Sequence, residues 1–457
     1  MLKTNLTEKV ADYVFTLHEG ALPPEVVLKC KEIILDELGV LLRASQSKGA
    51  SESIIHFVSQ FGSKGKCTVI GTNLKIDPIN AAFANGTLGH DIIELDDVHG
   101  PSRTHTAAVI VPAALAVAEH ENAKGSSLIT AVVAGYDIEG RIGVAFANQH
   151  LLRGFHASSV AGCFGSAVAA AKALGLSREG ILDALGSAGS QASGLMAYQD
   201  EAMHYNKSLQ TGIAARNGVT AALLAQMGYL APRRVLDGRT NILDAFSPGK
   251  HRFEDLTEDL GSRFEVMRTG LKRSSCCRLI HAPLEAFLSI LDEHHLHADD
   301  ISQVFVRLST TAARGVDGHP LVTHNVQKVL ATAALDRKKV TLLEPYSSDR
   351  QEGGPMLAFS GKIRVVGDPE LEKLLSIHPA GPAIVEVETR DGKRFSARVD
   401  DPRGEPSNPF SKEEVEEKFM SLSAQVVGER KAGEIHQAVN NLEAMDDVEQ
   451  LTSLLRL

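Results

Sequence analysis

At 457 residues, with 43% hydrophobic and 23% charged content, the chain is too long for one ordinary core and is expected to be globular with two domains. Its formal net charge of −10 disfavours sequence-independent nucleic-acid binding, which needs a basic face, but leaves room for an anionic small molecule held by local fields. No apolar run is long enough to cross a bilayer. The five cysteines (Cys30, Cys67, Cys163, Cys276, Cys277) are odd in number, irregularly spaced and contain no CxxC pair. They argue for a reducing compartment rather than a disulfide scaffold or a zinc site. Lys3, Glu8, Lys9 and Asp12 interrupt any signal-peptide apolar core, so a cytoplasmic protein is expected.

Helical periodicity begins at residues 24–42, where Val26, Val27, Ile33, Ile34, Leu38, Leu41 and Leu42 recur on one face. It continues through 79–88, 107–119, 127–147, 159–174, 178–192 and 211–227. The stretch 160–174 is rich in Ala and Gly, which lets helices approach closely and by itself carries no chemistry. Beyond residue 265 the pattern changes. Residues 302–309, 363–366, 384–390 and 393–399 read as strands, the last two joined by an Asp391-Gly392 hairpin turn. Helices at 282–294 and 326–335 are interleaved. A Pro/Gly/Asn-rich loop at 401–409 leads back to helix. Ser411 and Glu414 form a capping box for a helix at 413–422, and a final helix is expected at 439–455. The expected fold is therefore mainly α with an α+β second domain: a large helical bundle over 1–265, completed by 401–457, and a smaller α+β domain over 266–400.

The chemistry concentrates in residues 90–105. Glu94, Asp96 and Asp97 lie there with His90, His99 and His105, just before the apolar helix at 107–119. Such a cluster is costly unless it binds something or moves protons, because like charges raise one another's pKa and neighbouring imidazoles become acids or bases near neutrality. A solvated acidic loop is the plainer alternative. Three further groups stand out. Arg153 and His156 precede a helix whose N-cap is expected at Ser158 or Ser159, a place suited to an anion. Lys207 and Gln210 precede the helix at 211–227, where a lysine is ordinarily a solvated charge. Lys272, Arg278 and His281, with the adjacent thiols of Cys276 and Cys277, open the helix at 282–294 and suit a carboxylate. Buried structural cysteine is the commoner case for such thiols.

These segments resemble the MmgE/PrpD family, nearly end to end. Residues 89–99, Gly-His-Asp-Ile-Ile-Glu-Leu-Asp-Asp-Val-His, are similar to the family's acidic motif, with His105 as the histidine that follows it. Residues 154–159, Gly-Phe-His-Ala-Ser-Ser, resemble its Gly-[Phe/Trp]-His segment. Residues 206–218, Asn-Lys-Ser-Leu-Gln-Thr-Gly-Ile-Ala-Ala-Arg-Asn-Gly, match a lysine-led run. Lys272 with Cys277-Arg278-Leu-Ile-His281 resembles a Lys…Cys-Arg-x-x-His segment. Residues 403–419 match a Gly-x-Pro-x-Asn-Pro signature ending in Lys418-Phe419.

The resemblance implies a helical domain built from both chain ends, an α+β lid, a site in the cleft between them, no organic cofactor or metal, and a homodimer. It implies His105, His156, Lys207, Lys272, Glu94 and Asp96 as catalytic residues. Arg278, Arg153, Asp97, His281 and Gln210 would bind substrate. The implied partner is a small di- or tricarboxylate, with neither nucleic acid nor membrane. The implied reaction abstracts a proton α to a carboxylate, as in a 2-methylcitrate dehydratase-like hydro-lyase; an epimerase of an amino-dicarboxylate and a cis-aconitate decarboxylase-like enzyme are the alternatives. Lysines would stabilise the enediolate, one imidazole would act as base and another as acid. Val326 and Val329 fall near a usual serine and tyrosine, Gln210 stands where a histidine is frequent, and Thr106 replaces a proline, so a less polar lid side is expected. Two rivals lie outside this reading: a metal-dependent hydratase or hydrolase using His90, Glu94, Asp96 and His105, and a non-catalytic binding protein.

Overall fold

The computed structural model describes residues 5–91, 94–201, 204–336 and 354–457. The chain forms two hydrophobic cores. One draws on residues 6–271 and 415–455, the other on residues 276–399. The first is helical. At its centre lies Ala107–Glu121, buried on every side as its uninterrupted apolar sequence requires. Around it run Pro78–Gly89, Gly125–Ala145, Ala157–Ala173 and Asn206–Gln226. The small residues do what their pattern suggests: a Cβ on Gly165 would stand 2.9 Å from the Gly135 carbonyl oxygen, so the two helices touch through bare backbone. Helix Lys412–Val427 begins at the expected capping box, Ser411 with Glu414, and returns the chain to the first core, seating Phe419 against Pro24–Ala44.

The second core backs a four-stranded sheet in the order Ile363–Asp368, Ile301–Ser309, Ala383–Thr389, Arg394–Val399. The first pair is parallel and the other two antiparallel. Helices His281–Glu293 and Val326–Leu335 form as expected, the first packed on Ala383–Thr389 and Arg394–Val399 and the second on the first. No helix among the described residues is long and apolar enough to cross a membrane.

Three expectations need correction. The helix expected at 211–227 is Asn206–Gln226, so Lys207 lies inside its first turn and is buried. The helix expected from 159 begins at Ala157, with His156 itself at the N-cap position. The final helix expected at 439–455 is broken. The Val448 amide donates to the Ala123 carbonyl and the Gly125 amide to the Met445 carbonyl, so this backbone spends its hydrogen bonds on the start of a neighbouring helix rather than on its own.

Candidate active site

Between the two cores lies a cavity of about 210 Å³. The helical side contributes Glu94, Arg103, His105, His156, Tyr198, His204 and Lys207; the α+β side contributes Cys277, Arg278, His319, Leu321 and His324. The segment 94–105 reaches this cavity because it is clamped from behind. Lys418 on the returning tail donates to the Leu95 carbonyl at 2.8 Å and pairs with Asp36 at 2.7 Å. At the C-terminal end of the preceding helix, a Cβ on Gly89 would lie 2.2 Å from Glu37 Oε1 and 3.0 Å from Ala108 Cα, so only glycine lets that helix end where it does. Glu94 follows with φ of +50°, a strained backbone for a non-glycine residue and a common mark of functional segments.

Asp96 organises the floor. Its Oδ2 accepts from Nδ1 of His90 and from Nδ1 of His105, each at 2.7 Å, while Oδ1 lies 3.4 Å from Lys272 Nζ. His105 Nδ1 is also 3.1 Å from the Asp97 carbonyl. Both neighbours of this nitrogen are acceptors, so it carries the proton and Nε2 is left with its lone pair. His156 is fixed in the same tautomer by a different route. Gln210 donates its amide nitrogen to the Leu195 carbonyl at 2.7 Å, which turns its Oε1 to accept from His156 Nδ1 at 2.9 Å. The His90 ring lies 4.1 Å from His105 and 6.1 Å from His156, and its Nε2 is buried with no hydrogen-bond partner among the described residues.

The charges are paired around Glu94. Lys207 Nζ is 2.7 Å from its Oε1; Lys272 Nζ is 3.0 Å from its carbonyl and 3.5 Å from Oε2. His324 Nε2 stands 3.9 Å away on the opposite wall. Burial alone would raise the Glu94 and Asp96 carboxyls, but the lysines and imidazoles outweigh it and hold both well below the carboxylate range. Burial works against the Lys272 ammonium, yet Asp96 and Glu94 raise it above its ordinary value. The imidazoles go the other way. Burial brings His105 down to about 3 and puts His156 and His324 well below their ordinary value, so all three are neutral near pH 7.

The residues singled out in the sequence divide. Glu94, His105, His156 and Lys207 line the cavity, and Asp96 and Lys272 are buried directly behind them. Arg278 lines it but is already engaged, with Nε 2.6 Å from Glu405. Gln210 acts through His156. Asp97 does not face the cavity: it accepts from the Ala107 amide at 2.8 Å and the Tyr136 hydroxyl at 2.7 Å, anchoring the start of the central helix. Its neighbour Asp96 instead turns to His90, His105 and Lys272. His281 is buried behind Arg278, its Nδ1 3.5 Å from Nη1. Arg153 is exposed and donates to the Ala245 carbonyl; Gly154, at φ +81°, turns the chain between it and His156. Val326 and Val329 are buried in the lid core rather than in the cavity wall, and the lid side is polar through His319 and His324.

The sequence gives no spacing signal for His319, His324, His204, Tyr198 or Arg103, because each reaches the cavity from a separate loop or a short helical turn. The metal rival has a geometric basis in His90, Asp96 and His105, whose ligand atoms lie within 4.8 Å of one another. Those atoms are already bonded to one another, and the Lys272 ammonium faces Asp96 Oδ1 where a cation would sit. The donor set fits a hydrogen-bonded relay better than a dication.

A helical body and an α+β unit thus meet at a cavity walled by imidazoles and a lysine. The family model for the MmgE/PrpD N-terminal domain matches residues 8–254 and that for the MmgE/PrpD C-terminal domain matches residues 274–444; the chain belongs to the MmgE/PrpD family. It is 28% identical to a cis-aconitate decarboxylase of Aspergillus terreus, over 99% of this chain and 96% of that protein. It is 30% identical to a cis-aconitate decarboxylase-like protein, oryM, of Aspergillus oryzae (99% and 97% covered). It is 27% identical to the human cis-aconitate decarboxylase (100% and 95% covered).

Proposed function

We propose that this protein is a cofactor-independent lyase for a small polycarboxylate, and that its reaction is decarboxylation of a cis-aconitate-like unsaturated tricarboxylate. The observation that carries this reading is the balance of the cavity wall. Five imidazoles (His105, His156, His204, His319, His324) and the cations Arg103, Lys207 and Arg278 face two carboxylates, Glu94 and Glu405, which are both already paired. The wall's cations exceed its carboxylates by one, and its neutral imidazoles gain protons beside added negative charge, so an anion with several carboxylates complements it.

The chemistry follows. Loss of CO2 from the carboxyl on the saturated carbon breaks that carbon–carbon bond. Its electron pair forms a new double bond, and the old double bond's pair moves to the carbon α to a remaining carboxylate. The result has enediolate character, which Lys207 on the cavity wall would stabilise, with Lys272 adding its charge from behind Glu94. One proton added at that carbon completes the balance: tricarboxylate plus proton gives CO2 plus an unsaturated dicarboxylate. His105 or His156 supplies it. Both are neutral without ligand, but a bound polyanion raises an imidazole's pKa, so substrate binding itself charges the donor.

The tautomer seen in both imidazoles favours a second reading. A free Nε2 lone pair is what proton abstraction requires, and abstraction is the first step of dehydrating a 2-methylcitrate-like substrate. One assay separates the two. Proton NMR in deuterium oxide, with cis-aconitate and 2-methylcitrate supplied separately, is expected to show the signals of the first replaced by those of a monodeuterated unsaturated dicarboxylate. Water loss from the second with inertness toward the first would replace decarboxylation by dehydration. The same proposal includes a cytoplasmic homodimer, whose mass light scattering measures.

A further inference from the structure

The cations on the cavity wall are not equivalent. Lys207 lies 2.7 Å from Glu94, and Arg278 is bound to Glu405 and to the Leu271 carbonyl at 3.2 Å. Arg103 has no carboxylate within ion-pair distance, and its guanidinium makes no hydrogen bond among the described residues. Glu372 acts on it only from further off, and that carboxylate is spent on the Thr311 amide at 2.9 Å and the Thr311 hydroxyl at 2.7 Å. Burial pushes the half-buried Arg103 guanidinium below its ordinary value, with Glu372 offsetting part of that cost from a distance.

Its position is built. Arg103 lines the inner cavity and also a second, outer cavity of about 770 Å³, and so stands at the neck between them. The loop that presents it is tight. The Arg103 amide donates to the His99 carbonyl and the His99 amide to the Thr104 carbonyl, both at 2.9 Å. Arg103 itself takes φ of +59°. Within the loop His99 Nδ1 meets Ser102 Oγ at 2.6 Å, and beneath it His99 Nε2 meets Glu265 at 3.0 Å. A left-handed arginine on an anchored loop, with its charge unpaired at the mouth of an anion cavity, is an arrangement that a ligand carboxylate completes.

We infer that Arg103 binds the substrate carboxylate most distant from the reacting carbon and thereby sets the requirement for more than one carboxylate. This rests on the reading of the cavity as a polycarboxylate site but not on which reaction occurs there. The test is calorimetric binding of propane-1,2,3-tricarboxylate, a saturated and unreactive probe, with butanoate as the single-carboxylate control. Relative to wild type, Arg103→Gln is expected to bind the tricarboxylate about 10- to 100-fold more weakly, with butanoate unchanged and Arg103→Lys recovering part of the loss. In turnover, KM should rise by a similar factor while kcat stays within about threefold.

Equal tricarboxylate affinity in wild type and Arg103→Gln overturns the inference. So does no tricarboxylate binding by wild type, or a fall in kcat at unchanged KM. Should Arg103→Gln not fold, the Lys variant decides: wild-type affinity there overturns the inference, and a partial loss supports it. Wild-type binding that weakens in Arg103→Gln, with no turnover of cis-aconitate, would support Arg103 while removing the proposed reaction.

Discussion

One short segment carries two histidine–carboxylate pairs with opposite fates. His105 opens on the cavity with Asp96 buried behind it; His99 and Glu265 are sealed inside the protein. In both pairs the imidazole is tied to a carboxylate. The difference is what remains. His99 spends Nδ1 on Ser102 and Nε2 on Glu265, so no nitrogen is left for chemistry. Glu265 is drawn into structure as well: against the burial that would raise it, His99, Arg268 and Arg141 bring it down to about 2. His105 spends only Nδ1, and the same bond to Asp96 that orients the ring leaves Nε2 unspent. An imidazole–carboxylate pair is therefore a fold element or a reactive group according to whether one nitrogen stays free, which composition cannot reveal.

The comparison breaks most visibly by exchanging each histidine for glutamine, which keeps one donor. His105→Gln should lower kcat by about 100- to 10,000-fold, the usual worth of a positioned proton-transfer group, with little change in melting temperature. His99→Gln should do the reverse, costing about 1–3 kcal/mol of stability by leaving a buried partner unsatisfied, while kcat per folded molecule stays near wild type. Equal kinetic losses would erase the distinction. Asp96→Asn probes the bond itself. The amide oxygen can take the place of Oδ2, which already serves both imidazoles, but the NH2 group then meets the Lys272 ammonium and the carboxylate charge that supports the rings is lost. We expect a loss of about 10- to 100-fold in kcat, read by steady-state kinetics on protein of verified fold.

The helical floor is the part of this architecture most readable from sequence. Glu94, Asp96 and His105 fall within one turn-rich segment, so their chemistry is concentrated where sequence separation is small, and the apolar run after it forces the segment's end against a core. Lys207 is less readable, because its burial depends on the helix starting at Asn206, five residues earlier than the apolar pattern suggests. The lid wall escapes because His319 and His324 are isolated polar residues on short elements whose direction tertiary contacts set. Arg153 misleads for a local reason: a single left-handed glycine at 154 separates its direction from that of His156. The tail's role in clamping Leu95 through Lys418 spans more than three hundred positions and has no local signal.

Acid sharpens the contrast on a smaller scale. In the fold His105 titrates at about 3, against an ordinary value of 6.5. Between those values the unfolded chain binds a proton that the native state refuses, so native stability falls as pH drops from 6.5 towards 3. Asp97 has the opposite sign. Burial raises it to about 7 from 3.8, with Asp96 and Asp36 adding to the rise and the Tyr136 and Ala107 hydrogen bonds opposing it. Across that window the native state holds a proton that the unfolded chain has lost, and stability falls as pH rises. Denaturant melts of wild type, His105→Gln and Asp97→Asn over pH 4 to 7 should therefore diverge in opposite directions. Each difference approaches about 1.4 kcal/mol per pH unit where a full proton separates the states. Parallel curves would mean that neither group titrates in the fold as described.

The smallest effect belongs to Arg153, and its smallness is informative. The expectation from sequence makes it a substrate ligand beside His156; the structure turns it outward to the Ala245 carbonyl and leaves Phe155 beneath its guanidinium at 5.8 Å. Arg153→Ala should leave kcat and KM within about twofold and cost under about 0.5 kcal/mol, as exposed substitutions away from special contacts do. Arg103 lies on the wall that Arg153 does not reach, so these two arginines form an internal control within one charge type. If KM responds to Arg153→Ala as strongly as to Arg103→Gln, the field around the cleft is diffuse and no single cation anchors the distal carboxylate. If only Arg103 responds, the geometry at the neck, rather than net positive charge near the cleft, selects the substrate.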